Sequence, residues 1–155
     1  MGSVDDRVRR EGQATGAVGD CAGLAHARAV WDFTTGDARR FRDRLELVID
    51  ALEQFRMQAI PADFVVLLHG PATRFAARTL AGTKFAPDES QDLAPAHAVL
   101  RRFVELGGRA VVCGIAMDRS AIAPENVLDG VTVERNVFVN AIALQNRGYA
   151  YLPIA

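Results

Sequence analysis

Cys113 ends a run of small apolar residues, Ala110-Val111-Val112, and is followed at once by Gly114. A thiol between an apolar strand and the start of a helix can do nucleophilic sulfur chemistry. Free backbone N–H groups at the helix start would favour its thiolate form. Gly114 would leave room for a second sulfur atom, and Arg119 would add positive charge by folding back. Such a cysteine can take up sulfur and pass it on. The same position also suits a packed core thiol, because free cysteine is among the most buried residue types. Spacing alone leaves both readings open. His69, followed by Gly70-Pro71, is either a base or hydrogen-bond partner for that thiol, or a histidine that holds loop backbone. Lys84, the only lysine, is either an anion contact or a solvated loop residue.

These residues need elements that position them. Residues 29–33 form a β-like run that ends in Thr34-Thr35-Gly36, with Asp37 as a helix N-cap. Phe41, Leu45, Val48, Ile49, Leu52 and Phe55 then fall on one helical stripe. Residues 64–68 are continuously apolar, as in a strand buried on both faces. A short helix is predicted over 72–80, a loop over 82–90 and a helix from Leu93 that Gly107-Gly108 closes. Strand 109–113, helix 114–121, a turn at 124–129 and strand 131–134 follow. Asn136 caps a helix that runs to Asn146, and residues 149–152 are the last strand.

This alternation predicts an α/β fold: a three-layer α/β/α sandwich around a five-stranded, mainly parallel sheet, of flavodoxin size. In such folds ligands gather at the carboxyl ends of strands. That rule selects Thr34, Thr35, His69, Cys113 and Asn136 as candidates to line one crevice.

Half of the 155 residues are apolar, which suits one domain. A Gly-rich tail, disordered or loosely ordered, is expected over residues 1–26, with a short frayed helix near 4–10, and a folded domain over 27–155. The formal net charge of -1 gives no field that attracts nucleic acid or an anionic membrane. No apolar run is long enough to span a bilayer, and no apolar stretch follows the N-terminal charges as in a secretory signal. Two distant cysteines, Cys21 and Cys113, exclude a disulfide scaffold and point to a reducing, cytoplasmic setting. No phosphate loop, dinucleotide fingerprint, zinc spacing or serine elbow is present, so no cofactor or metal is expected. Asp37 also disfavours a flavin phosphate at its helix start.

The stretch Val111-Val112-Cys113-Gly114-Ile115-Ala116-Met117-Asp118-Arg119 resembles the cysteine motif of the DsrE/DsrF/DsrH-like family. Phe33-Thr34-Thr35-Gly36-Asp37, Val65-Val66-Leu67-Leu68-His69-Gly70-Pro71 and Ala143-Leu144-Gln145-Asn146-Arg147-Gly148-Tyr149 agree with it. The likeness covers about residues 29–154 and is greatest to single-chain members. It implies a homo-oligomer, often a trimer or hexamer. It also implies that Cys113 carries a persulfide between donor and acceptor proteins, as in sulfur-relay sulfurtransferases. One departure is Ser120, where relay subunits carry glycine after the arginine. The alternative is a non-catalytic homo-oligomeric module that binds a small ligand or a protein, with Cys113 structural. A nucleotide or flavin binder is a third, weaker reading.

Overall fold

Runs rich in β-branched and aromatic residues become five strands: β1 (Ala27–Phe33), β2 (Ala62–Leu68), β3 (Arg109–Cys113), β4 (Val131–Glu134) and β5 (Ala150–Ile154). Stretches with helical spacing become α1 (Ala38–Met57), α2 (Ala94–Glu105), α3 (Gly114–Ser120) and α4 (Val137–Asn146). These come from a computed structural model that describes residues 17–88 and 92–155. The helix expected near residues 4–10, and the tail up to position 16, lie outside the described residues, as do the last two residues of the 82–90 loop. The described remainder of the tail packs on the domain. Ala17 is buried, the Val18 amide donates to Gln58 Oε1 at 3.2 Å, and a 3-10 helix spans Gly19–Cys21.

The strand order is β4-β3-β2-β1-β5, and every pairing is parallel. From β1 to β4 the chain steps across the sheet in one direction, then returns to the far side of β1. The return puts the last helix on the opposite face. One face carries the larger core: Phe33, Phe64, Val66, Leu68 and Val112 pack against Phe41, Leu45 and Ile49 of α1, Leu100 and Phe103 of α2, and Met117 of α3. The other face carries a smaller core of Val30, Val65, Leu67, Val111 and Cys113, closed by Val137 and Leu144 of α4. The sandwich is thus three-layered, as expected.

Capping follows the sequence. The Asp37 carboxylate accepts the Arg40 amide at 2.7 Å, and the Asn136 side chain accepts the Phe138 amide at 3.0 Å. Gly108 must lack a side chain, since a Cβ there would lie 2.3 Å from Phe103 Cζ. β1 and β2 each start two residues earlier than expected, at Ala27 and Ala62, and two further elements differ. Instead of a helix over 72–80, a 3-10 helix spans Gly70–Ala76 and stops early. Ala77 forms a bridge with Val127, and the Arg78 amide donates to Asn126 O at 2.7 Å, so the chain is drawn out straight. The last strand runs to Ile154 through Pro153, which an edge strand tolerates.

Candidate functional site

After β3 the chain turns to the face of the larger core, where α3 places Met117. After β4 it turns to the other face, where α4 places Val137. Two neighbouring parallel strands whose exits diverge leave a crevice at their carboxyl ends. The crevice is present. It is a cleft of about 410 Å³ bordered by His69, Lys84, Cys113, Arg119, Asn136 and Phe138, among others. That is the size of a small-molecule site. Among the described residues that line it are two cationic side chains, Lys84 and Arg119, and none that carries a carboxylate.

The cleft thus unites His69, Cys113, Arg119 and Asn136, as the sequence predicts, together with Lys84. Three expectations fail. Thr34 and Thr35 do not line it, because β1 lies two strands away from β3. Instead the Thr34 amide donates to Ile154 O at 2.9 Å, and Thr35 Oγ1 accepts the Asp37 amide at 3.3 Å. Gly114 does not open space for sulfur. It does not border the cleft, and a Cβ there would stand in ordinary contact with the backbone that leaves β4, at 3.4 Å from Arg135 Cα and from Glu134 O. The start of α3 does not leave all of its amides free for the thiol either. The Ile115 amide donates to Arg135 O at 3.1 Å, and Cys113 caps no amide of α3. Its Sγ lies 3.9 Å from the same Arg135 carbonyl, as a donor. That contact is one a thiol makes and a thiolate does not. Cys113 as a whole is 6% exposed.

Beside the cleft lies a network that sequence reasoning missed. His69 Nε2 is 2.6 Å from Asp32 Oδ1, and the Tyr151 hydroxyl donates to Asp32 Oδ2. The Phe138 ring stands edge-on to the His69 ring, with centroids 5.4 Å apart. Burial pushes the Asp32 carboxyl up, but the hydrogen bonds from His69 and Tyr151 and the nearby imidazole outweigh it and hold the group below the usual range. The bond to Asp32, burial and the carboxylate charge push the Tyr151 phenol up to about 12. A signal for this network was available. Asp32 interrupts the apolar run Val30-Trp31-Asp32-Phe33, and a charge buried in a strand must find partners.

No group of three or more His, Cys, Asp or Glu among the described residues could hold a metal ion. No described helix is long and apolar enough to cross a membrane.

Known proteins share this architecture. The solved structure of MTH1491 from Methanobacterium thermoautotrophicum, a protein of unknown function, matches with a TM-score of 0.64 at 15% identity, over 82% of this chain and 98% of that one. The ychN protein of E. coli matches with a TM-score of 0.54 at 16% identity, over the same shares of each chain. These two likenesses concern the fold alone. In sequence, the chain is 28% identical over 127 residues to an uncharacterized protein of Aquifex aeolicus (strain VF5), which covers 81% of this chain. The chain spans about half, 55%, of that relative's length. A model of the DsrE/DsrF-like family matches residues 28–154. The chain therefore belongs to the DsrE/DsrF-like family.

Proposed function

We propose that the protein is a sulfur carrier of the relay type, a sulfurtransferase-like protein that holds a persulfide on Cys113. The observation that carries this reading is a lone thiol at the bottom of a cation-lined cleft, at the divergence of β3 and β4. The chemistry balances without an oxidant. The Cys113 thiolate attacks the terminal sulfur of a donor persulfide, R–S–SH. A new S–S bond forms, the donor's S–S bond breaks, and the donor leaves as a thiol. The persulfide left on Cys113 is anionic at neutral pH. Lys84 and Arg119 supply matching charge, and the Asn136 side chain is already engaged as the cap of α4. A reducing, cytoplasmic compartment is the setting that such a carrier needs.

We also propose that copies of the chain associate through the outer side of α4, where Phe138, Val139 and Ile142 are all more than half exposed. This helix is apolar on nearly every side, which is unusual for one that faces water. Donor and acceptor proteins would approach the mouth of the cleft on the side of Lys84 and Arg119.

The second reading, a binding module with a structural Cys113, draws on the near-complete burial of that residue and its contact with Arg135 O. Incubation with a cysteine desulfurase and cysteine, followed by intact-mass measurement, separates the two. A carrier gains the mass of one or more sulfur atoms, and Cys113→Ser does not. A wild-type mass that stays unchanged refutes the carrier and leaves the module.

A further inference from the structure

The side chains of Tyr151, Asp32, His69 and Cys113 come from four strands in spatial sequence, β5-β1-β2-β3. They share one face. Asp32 is level with Leu67, and Tyr151 with Val30, both of which belong to the smaller core. His69 and Cys113 each stand one residue beyond the last register pair of β2 and β3, Leu68 with Val112. Side chains alternate along a strand, so both point to the face of Leu67 and Val111, on strands about 4.8 Å apart. Both border the cleft.

Each contact in this row has a direction. The Asp32 carboxylate is ionised and only accepts. It therefore takes a proton donor from His69 Nε2 on one oxygen and from Tyr151 on the other. In the neutral imidazole, a proton on Nε2 leaves the lone pair on Nδ1. No described residue bonds Nδ1.

The geometry points to a positioning pair, Asp32 and Tyr151, that fixes His69 as the Nε2–H tautomer, so that Nδ1 serves as the base for the Cys113 thiol. In the carrier reaction on which this role rests, Nδ1 takes the thiol proton as sulfur attacks. It returns that proton to the departing donor thiolate, so the histidine ends neutral. The logic is that of a nucleophile, a base and a group that orients the base. The groups facing His69 are Asp32 from β1, Tyr151 from β5, Cys113 from β3, and Lys84 and Arg119 across the cleft.

The test needs no sulfur donor. Nitrogen-15 NMR of the wild-type imidazole should report Nε2 protonated and Nδ1 bare. Alkylation of Cys113 by iodoacetamide, followed against pH, should slow about tenfold or more at neutral pH in Asp32→Asn. The Asp32→Asn profile should also move to higher pH. Tyr151→Phe should slow it by roughly two- to threefold, since one of the two bonds that orient Asp32 remains. Added imidazole should restore reactivity to His69→Gly. Asp63→Asn neutralises the carboxylate that accepts the Tyr149 hydroxyl, near the start of β2, and serves as the control with an unchanged rate. An Nδ1–H tautomer in the wild type overturns the inference, and so does an Asp32→Asn rate equal to that of Asp63→Asn. If Asp32→Asn does not fold, the wild-type tautomer and Tyr151→Phe still decide. A protein that passes these tests yet accepts no sulfur loses the carrier reading and keeps the positioning of His69 by Asp32 and Tyr151.

Discussion

The two faces of the sheet are built to different ends. On the face of α1 and α2, α1 alone buries five apolar side chains, Phe41, Leu45, Val48, Ile49 and Leu52. At about 1.5–3 kcal/mol each, that packing dominates the stability of the fold. On the other face, α4 buries only Val137 and Leu144 and leaves Phe138, Val139 and Ile142 to solvent. There the sheet also carries polar groups in place of hydrocarbon: Asp32, His69 and Tyr151. The first face holds the molecule together. The second gives up apolar burial and in return holds a hydrogen-bonded polar network, a buried thiol beside a cleft and an exposed apolar rim. Stability and chemistry are divided between the two sides of one layer.

Four substitutions sharpen or break that division. The largest effect belongs to the first face. Phe103→Ala empties a fully buried site against Gly108 and should cost about 3–5 kcal/mol in chemical denaturation. Ile142→Asp on the second face should change monomer stability by about 0.5 kcal/mol or less, yet lower the assembly state seen by light scattering. Comparable destabilisation by both would erase the contrast. Next comes Asn136→Ala, which removes the cap of α4 and should cost about 1 kcal/mol. Because Asn136 also borders the cleft, Cys113 alkylation should change with it. The last effect is a pH dependence. The Tyr151 phenol sits at about 12 when folded, above its ordinary 10. A raised value means that the stabilisation is fully present below about pH 10 and is lost as pH rises from there through about 12. Wild type and Tyr151→Phe should therefore converge in stability over that window, as measured by urea denaturation. A constant gap across it would detach Tyr151 from Asp32.

Much of the architecture was legible because local signals agreed. Strands 109–113 and 131–134 match to the residue, since apolar runs there stop at glycine or at an N-cap. The strand-end rule found His69, Cys113 and Asn136, but it could not rank strand ends. Thr34 and Thr35 follow the same local pattern, and only the order β4-β3-β2-β1-β5 shows that their strand is remote from the divergence. Gly114 misled for a related reason. Its neighbour is Arg135, twenty-one positions along the chain, and close approach of distant backbone leaves no local mark. Tyr151 was hidden for the same reason, since its partner Asp32 lies across 119 positions.

Pro153 has a consequence for growth of the sheet. The Ile154 carbonyl accepts the Thr34 amide, so Ile154, like Leu152, turns its backbone inward to β1, while Tyr151 and Pro153 turn theirs outward. An incoming strand on that flank would find a donor at Tyr151 and none at Pro153. The layer is thereby a poorer template for another ribbon on that side.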